Sequence, residues 1–296
     1  MPSKPFSGRS KSRKRFGVAE LYGNDFANLP PDQIRNLASA NFHEQICRFR
    51  RDKCNKKGGV CSLRLYEEKD GFAATTETPV VTTCPQRFKE GDMIFSWIGE
   101  TLIGTASPVI FPSVPYLLKQ DINRDNPEVV GQIDMVLASP DEKNLQWCAV
   151  EMQSVYFSGF AMGPEFKIMR EWTEAKTPFP SKMRRPDFRS SGPKRLMPQL
   201  QIKVPTIRRW GRKMAVVIDL AFWSSLAEIK EVPHVSNCDV AWFVVNYEAK
   251  DGGLKLVRHA VHFTTLENSV EGLTGGYPVE KDRFENELRM RLRKAN

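Results

Sequence analysis

Apolar positions along the chain recur with two spacings, and each spacing predicts a different kind of element. Residues 129–139 and 145–157 alternate apolar with polar positions, which is typical of β-strands, and the SPDEKN segment between them has the composition of a turn. Residues 214–223 and 240–248 are almost continuously apolar, which indicates buried strands.

Helical spacing is found in four other segments. Apolar residues lie three to four positions apart in residues 31–46, 89–103 and 279–295, and residues 195–213 fit a helix that their prolines would begin or kink. Residues 107–116 predict a proline-rich connector. Because strands alternate with helices, the predicted fold class is mixed α/β.

The distribution of charge indicates a polyanionic partner. Lysine and arginine total 44 against 35 aspartate and glutamate, which gives a net charge of +9. Residues 1–16 carry six basic and no acidic residues, and residues 182–213 carry eleven basic residues and one acid. We therefore expect a nucleic acid partner, although an unspecific basic surface would give the same total. The first segment is predicted to be a disordered arm that either follows phosphates or acts as a solubilising tail.

Apolar run lengths predict a cytoplasmic protein. No run approaches the roughly 18 residues that span a bilayer, and the basic N-terminus lacks the apolar stretch of a signal peptide. We therefore expect no membrane partner.

The main candidates for chemistry are Asp134 in the first alternating strand and Glu151 and Gln153 in the second. Side chains two residues apart on a strand face the same way, and pairing of the two strands would bring Asp134 beside Glu151. Two neighbouring carboxylates repel unless a cation lies between them, and oxygen ligands of this kind suit Mg²⁺. The alternative is that these are ordinary polar residues on exposed strand faces.

A magnesium ion at Asp134 and Glu151 could polarise a phosphodiester and activate a water. Gln153 cannot act as a base and could only orient that water. Glu100, on the predicted helix 89–103, is an additional candidate as an outer or second-metal ligand, and a solvent-facing glutamate is the alternative reading.

Four of the six cysteines fall close together in a lysine-rich stretch with little apolar content. In a cytoplasmic protein such thiols suit a tetrahedral metal site better than disulfides, and binding iron or zinc would fold the segment. We therefore predict a small irregular metal-binding module, with four unrelated thiols as the alternative. Its predicted ligands are Cys47, Cys54, Cys61 and Cys84. Cys148 and Cys238 lie in or beside apolar strands and are predicted to be core residues.

The basic segment 182–213 is the predicted DNA contact. Its first half is expected to be an extended loop and its second half a helix. Arginine can pair with the N7 and O6 atoms of guanine, and lysine and serine suit phosphates. A solvated charged loop is the alternative. The residues expected to contact DNA are Arg184, Arg185, Arg189, Lys194 and Arg195.

Three stretches together resemble the NotI-type restriction endonucleases, a branch of the PD-(D/E)XK nuclease superfamily. They are GQIDMVL followed by WCAVEMQSVYF, the RRPDFRSSGPKRLMPQLQIK segment, and the cysteine-rich N-terminal region. The resemblance runs from about Cys47 to the late strands. It implies a central mixed sheet flanked by helices, with an added four-cysteine module near the DNA that holds iron. It also implies that Asp134 and Glu151 bind catalytic Mg²⁺, and that Gln153 replaces the usual lysine.

The expected function is therefore a type II restriction endonuclease of the bacterial cytoplasm that cuts double-stranded DNA at a GC-rich palindrome. A homodimer would read one half-site with each subunit, and a cognate DNA methyltransferase is the expected partner. The alternatives are a non-catalytic metal-module DNA-binding protein and a less specific DNA or RNA nuclease. The expected domains are a basic arm at 1–16, a helix and cysteine module at 17–88, and a nuclease core at 89–296 that carries the recognition segment 182–213.

Overall fold

The computed structural model describes residues 13–50, 52–119, 128–276 and 279–295. The strands are β1 (Lys14–Leu21), β2 (Asn24–Asp25), β3 (Ile46–Cys47), β4 (Asp52–Lys53), β5 (Val60–Lys69), β6 (Phe72–Thr75), β7 (Val81–Thr82), β8 (Val109–Lys119), β9 (Glu128–Ala138), β10 (Trp147–Met152), β11 (Tyr156–Gly159), β12 (Arg184–Asp187), β13 (Met214–Asp219), β14 (Val240–Lys250) and β15 (Gly253–Thr264). The α-helices are α1 (Pro31–Ser39), α2 (Met93–Leu102), α3 (Gly163–Arg170), α4 (Phe188–Ser191), α5 (Met197–Arg209), α6 (Leu220–Trp223), α7 (Leu266–Thr274) and α8 (Lys281–Ala295). Short 3-10 turns cover Phe26–Asn28, Lys57–Gly59, Pro85–Asp92 and Val235–Asn237, and a π-helical turn covers Gly192–Leu196.

A six-stranded mixed sheet with the order β15-β14-β13-β10-β9-β8 lies at the centre of the C-terminal part. Strands β10, β13 and β14 run parallel, and the other neighbours are antiparallel. Every residue of β13 is buried, which explains its continuous apolar sequence, since parallel strands are covered on both faces. Apolar residues of α5 and α7 pack on one face, and those of α2 pack on the other. The predicted α/β class with a mixed sheet flanked by helices is confirmed.

The N-terminal part forms a second sheet, and it is more regular than the predicted module. Strands β2, β1, β5 and β6 are neighbours in that order, and β7 pairs with β5. Val18, Phe26, Ile34 and Leu63 belong to a buried core of their own, against which residues of α1 and α3 pack. The prediction of a small irregular module with little core was wrong, because alternating apolar residues of β5 face residues from distant segments.

The predicted basic arm also overlaps this sheet. Lys14, Arg15 and Phe16 belong to β1, where they pair with the end of β5. Arg13 forms an ion pair with Glu68. Residues 1–12 of the arm lie outside the described residues.

Buried polar contacts join the N-terminal sheet to the central sheet. The carboxylate of Asp219, at the end of β13, accepts hydrogen bonds from the Thr82 amide (2.6 Å) and the Phe222 amide (2.8 Å). The hydroxyls of Thr82 and Tyr247 lie 2.7 Å apart. The guanidinium of Arg87 donates to the carbonyl of Leu254 (3.0 Å) in β15. Buried hydrogen bonds from Thr82 in β7, and from Arg87 in the turn that follows it, therefore link the two sheets.

Several elements differ from the sequence expectations. The proline-rich connector is strand β8, which tolerates Pro112 and Pro115 because it lies at the edge of the sheet. The helix predicted at 31–46 ends at Ser39, and the strand predicted at 214–223 ends at Asp219, whose side chain caps α6. Within the described ranges, no helix is both long and apolar enough to cross a membrane.

Candidate active site

Asp134, Glu151 and Gln153 come together at one end of the paired strands β9 and β10. Met135 pairs with Val150 in this antiparallel ladder, so the next position in the same register sets Asp134 opposite Glu151. The side chain of Glu151 is 3% exposed and that of Asp134 is 59% exposed. The structure thus brings together the three residues that the sequence predicted to converge.

Gln153 lies one residue beyond the end of β10 and is buried. Its backbone amide bonds to the carbonyl of Val217 in β13 (3.0 Å), which continues the sheet ladder. Its side-chain nitrogen donates to the carbonyl of Ser154 (2.6 Å). That bond uses one of the two hydrogens of the amide nitrogen, and the amide oxygen is the atom that could accept from a water or bind a cation.

These three residues line a cleft of about 450 Å³, which Lys56, Tyr156, Arg195 and Gln199 also border. A larger cavity of about 580 Å³ lies between the N-terminal sheet and the turn that joins β14 to β15. Two of its carboxylates already face arginines: Asp25 lies 3.8 Å from Arg64, and Glu90 lies 2.9 Å from Arg87. The smaller cleft is the stronger candidate for chemistry, because Asp134 and Glu151 lie opposite each other on neighbouring strands there and Asp134 is 59% exposed.

A lysine that the sequence analysis did not single out lies between the two carboxylates. The ammonium nitrogen of Lys203, in α5, is 2.8 Å from Glu151 Oε2 and 3.4 Å from Asp134 Oδ1. It also donates to the amide oxygen of Gln199 at 2.8 Å. The side chain of Lys203 is only 8% exposed.

The sequence did carry a signal for this residue. The buried apolar stripe of α5 and the turn before it consists of Leu196, Leu200, Val204 and Ile207. Lys203 falls within this stripe, at the spacing of a core position. A lysine there requires a partner in the interior, since an unpaired buried charge is strongly unfavourable.

Burial and neighbouring charges shift both ionisable groups. Burial raises the pKa of Glu151 to about 7; the ammonium of Lys203 opposes this rise and the carboxylate of Asp134 adds to it. Burial alone would lower the pKa of Lys203, but Glu151 and Asp134 outweigh it and raise that pKa. A buried carboxylate whose pKa is raised this far, next to a solvent-exposed carboxylate, is typical of a functional site.

The chemistry of the donor atoms fits a magnesium ion. Two carboxylates and one amide oxygen lie in the same open cleft. Mg²⁺ takes one or two protein carboxylates and keeps several waters. The exposed Asp134 would leave room for those waters, and the buried Glu151 would provide a fixed ligand.

Glu100 does not belong to this site. It lies on α2, and its carboxylate accepts a hydrogen bond from Arg258 Nη1 at 2.8 Å. Arg258 is in β15, at the opposite edge of the sheet from β8 and β9. The prediction of Glu100 as an additional metal ligand was wrong, because helix spacing alone did not show which strand its α2 face would meet.

Arg184 is also placed differently from the prediction. It is buried, and its guanidinium donates to Glu165 Oε1 (2.8 Å) and to the carbonyl of Ala161 (2.8 Å). These contacts anchor the segment that follows α3, so Arg184 is not available to read DNA. The segment itself is also more regular than an extended loop, since it forms β12, α4 and the π turn.

The other four basic residues predicted to contact DNA are exposed: Arg185, Arg189, Lys194 and Arg195. Arg195 lines the cleft with its guanidinium stacked on the Tyr156 ring, 4.0 Å from the ring centroid. It also donates to the Tyr156 hydroxyl (2.9 Å). Their contact with DNA remains a prediction.

The four N-terminal cysteines lie near one another without forming disulfides. Burial raises the pKa of the Cys84 thiol, and Cys47 and Cys54 add to that rise. Burial also raises the pKa of Cys61 well above its ordinary value, with Cys84 among the contributing neighbours. Even so, no group of three or more histidine, cysteine, aspartate or glutamate residues in the described part of the chain has an arrangement that could hold a metal.

Comparison with known families decides the class of protein. A family model described as "Restriction endonuclease NotI" matches residues 32–256, about three quarters of the chain. The chain belongs to the NotI family of restriction endonucleases. The resemblance seen in the sequence is thereby confirmed, and the enzyme class is that of a site-specific nuclease, a hydrolase that binds DNA. No curated protein matches the chain.

The match to the NotI family covers the functional candidates. Asp134, Glu151, Gln153 and Lys203 all fall inside it, as do the four N-terminal cysteines. Strand β1 and helices α7 and α8 fall outside it.

Proposed function

We propose that this NotI-family chain is a type II restriction endonuclease that hydrolyses double-stranded DNA with Mg²⁺ at Asp134 and Glu151. The observation that carries the proposal is the pair of carboxylates in register on neighbouring strands. One is buried and one is open to a cleft that exposed Arg195 also borders. That combination offers a metal site and a phosphate contact on the same surface.

The residues of the cleft divide the work. Bound Mg²⁺ would supply polarisation of the phosphate and a lower pKa for a water. Glu151 is held by Lys203, so its oxygens keep one position. Gln153 orients a water through its amide oxygen, and the arginine on Tyr156 faces the phosphate backbone.

A non-catalytic DNA-binding protein explains the cleft less well. A buried ion pair gives little or no net stability compared with apolar side chains of similar size. The Glu151–Lys203 pair also ends at Asp134, whose side chain is 59% exposed, so the cluster presents a charge to solvent that the fold alone does not need. Binding of a charged ligand at this cluster would explain why these charges are present.

The test is cleavage of a mixed-sequence plasmid by purified protein in the presence of Mg²⁺. The wild-type protein is expected to give discrete fragments, whereas Glu151→Ala should abolish cutting and keep DNA binding in Ca²⁺. Glu142→Ala is the matched control, because Glu142 is an exposed carboxylate in the turn at the other end of the same strands. Normal cutting by Glu151→Ala would contradict the active site, and uniform degradation by the wild type would indicate a less specific nuclease. Binding without cutting would indicate a DNA-binding protein.

We also propose that the four cysteines hold one structural iron or zinc ion. Because the described residues show no arrangement that could hold a metal, the ion would have to draw the four thiols together. In support, Cys61 and Cys84 are neighbours in the fold: the amides of Thr83 and Cys84 both bond to the carbonyl of Cys61 (2.9 and 3.1 Å). Lys56, two residues after Cys54, reaches the catalytic cleft and donates to the carbonyl of Thr83 (2.7 Å). A metal at the cysteines would therefore fix the position of Lys56 in the cleft as well as the fold of the cysteine segment.

Metal analysis of the purified protein tests this site. One iron or zinc per chain is expected, with Cys61→Ser losing it. Cys238→Ser is the control, since Cys238 lies in the core of the central sheet and its thiol donates to the carbonyl of Val235. Less than stoichiometric metal in the wild type would exclude the site.

We propose that the enzyme acts as a homodimer on a GC-rich palindrome, with a cognate DNA methyltransferase protecting the host. In support of a dimer, the edge ribbon β8–β9 exposes large apolar side chains, among them Val109, Phe111, Leu118 and Val130. Such a patch is unusual on a monomer.

Sedimentation should give a dimer that Leu118→Asp dissociates, whereas Leu292→Asp, at a similarly exposed position, should leave it intact. Sequencing of fragment ends gives the site, and protection of DNA by the methyltransferase tests the partner.

A further inference from the structure

One face of the helical segment before and within α5 leads from the exposed basic surface to the two carboxylates. Arg195, Gln199 and Lys203 follow one another at intervals of four residues, and residues at that spacing lie on the same face of a helix. Arg195 stacks on Tyr156 at the open side of the cleft. At the inner end, Lys203 contacts Glu151 at 2.8 Å.

We propose that Lys203 is the lysine of the catalytic centre, supplied by α5 and positioned by Gln199. The inference rests on the proposed nuclease function, and it names the ammonium of Lys203 as the positively charged group of the active site. Gln153 carries no charge. The positive charge beside the carboxylates comes instead from α5, which brings the ammonium of Lys203 to 2.8 Å from Glu151. An ammonium group has three hydrogens to donate, and each has a neighbour here.

The three contacts of the ammonium are not equivalent. Those to Glu151 Oε2 and to Gln199 Oε1 are both 2.8 Å long, which is the length of a good charge-assisted hydrogen bond. The contact to Asp134 is 3.4 Å long, and Asp134 is the exposed member of the group. The third hydrogen lies on the longer contact, to the exposed Asp134, so it is the one that would act on a phosphate oxygen or a water bound beside Asp134, while the other two hold the nitrogen in place.

A purely structural role predicts a different response to magnesium. If Lys203 only neutralises Glu151, saturating Mg²⁺ replaces that charge and restores cleavage to a variant without the lysine. If the ammonium acts on the substrate or the attacking water, the loss persists at every Mg²⁺ concentration. Lys203→Met keeps much of the side-chain length and removes the charge, so it separates the two roles.

The experiment is single-turnover cleavage by Lys203→Met across a Mg²⁺ titration. At saturating Mg²⁺ the rate is expected to fall about 100-fold, the usual effect of removing one charged or hydrogen-bonding group from a transition state. Lys203→Arg keeps the charge and should recover part of the rate. Lys167→Met, which removes an exposed helical lysine on α3, should cleave like the wild type.

Two readouts besides cleavage support the interpretation. Calorimetric titration of the DNA-free protein with Mn²⁺ should show metal binding at least as tight in Lys203→Met as in the wild type, because a competing cation is gone. DNA binding in Ca²⁺ should be unchanged. Cleavage restored to the wild-type rate at saturating Mg²⁺ would overturn the proposal whatever the Mn²⁺ affinity, and weaker Mn²⁺ binding would show that Lys203 supports the metal site instead of acting on the substrate.

A second variant keeps the proposal testable if Lys203→Met does not fold. Gln199→Leu removes only the second acceptor of the ammonium and is expected to slow cleavage about tenfold through the loss of one positioning hydrogen bond. A wild-type rate in Gln199→Leu would contradict its positioning role. If Lys203→Met cleaves normally while Glu151→Ala is inactive, this inference alone fails. If Glu151→Ala cleaves normally, the proposed function fails first.

Discussion

Two buried ion clusters of this protein differ in one respect, their access to solvent. In the closed cluster, Arg87 is 0% and Glu20 1% exposed, and the Arg87 guanidinium contacts both Glu20 oxygens at 2.9 Å. Ser62 donates to the same carboxylate (2.6 Å). Outside this closed pair, Glu90, which is 30% exposed, accepts a hydrogen bond from another guanidinium nitrogen of Arg87 (2.9 Å). In the open cluster the buried pair Glu151–Lys203 ends at Asp134, which lines the cleft and has a side chain that is 59% exposed.

The difference shows what each cluster can do. Burial raises the pKa of both glutamates, although Arg87 opposes the rise at Glu20. The closed cluster binds β1, the 3-10 turn before α2 and β15 to one another, so its charges are fully used within the fold. The open cluster keeps one carboxylate in contact with solvent, where a ligand can reach it. Both ion pairs are buried and charged, so the exposed carboxylate at one end of the open cluster is what separates a candidate catalytic pair from a structural one.

The largest expected effect is on the open cluster. Glu151→Ala should reduce cleavage about 1000-fold, because it removes a fixed ligand of the reacting centre. Thermal melting should show a folded protein, and the cleavage rate at saturating Mg²⁺ is the measurement. Substantial remaining activity would place the catalytic group elsewhere.

The next effect is on the closed cluster. Arg87→Met should lower the free energy of unfolding by about 3–5 kcal/mol, because the carboxylate of Glu20 then remains buried without a compensating positive charge. Denaturant unfolding measures it, with Arg258→Met as the control. Arg258 pairs with Glu100 on the surface, where an ion pair contributes less than about 1 kcal/mol. Well below its melting temperature, the Arg87→Met variant should still cleave DNA. Loss of cleavage in the folded variant would show that the closed cluster also takes part in function.

A third buried carboxylate tests burial alone. Burial raises the pKa of Asp219 to about 6, although the amides of Thr82 and Phe222 oppose the rise. Because this pKa is above that of the unfolded chain, ionisation of Asp219 costs stability, and the cost grows as the pH rises from about 4 through about 6. The advantage of the wild type over Asp219→Asn in free energy of unfolding should therefore shrink across that range, by up to about 3 kcal/mol. Denaturant unfolding at a series of pH values measures it, and a constant difference would contradict the raised pKa.

The smallest effect concerns the acid that the structure moves away from the site. Glu100→Ala should leave cleavage at the wild-type rate and change the free energy of unfolding by less than about 1 kcal/mol, because its only partner in the described contacts is an exposed arginine. Mg²⁺-dependent cleavage and denaturant unfolding measure the two quantities. A loss of cleavage in this variant would mean that the open cluster extends further than its geometry shows.

Much of the candidate site could be predicted because it depends on local rules. Alternation in residues 129–139 and 145–157 fixed which side of each strand carries a polar group, and a short turn makes neighbouring strands pair. Asp134 and Glu151 therefore converge without any knowledge of the remaining fold. The mixed α/β class followed from the same periodicities.

What could not be predicted depends on which surfaces meet. Strand β8 contains two prolines, and only the order of the sheet shows that it is an edge strand that can accept them. Nothing in the local sequence around Arg184 or Glu100 shows whether the charge is free to bind a ligand. Each forms an ion pair with a residue of another element, Arg184 with Glu165 and Glu100 with Arg258.

The sequence by itself determined the two carboxylates, the basic character and the family resemblance, because periodicity, composition and motif are properties of neighbouring residues. The tertiary structure alone decided that Lys203 lies between Asp134 and Glu151, residues that precede it by 69 and 52 positions. That contact exists because α5 packs its apolar stripe on the sheet and carries the lysine inward with it. A charge on a helix becomes part of a site only when the opposite surface supplies its partner.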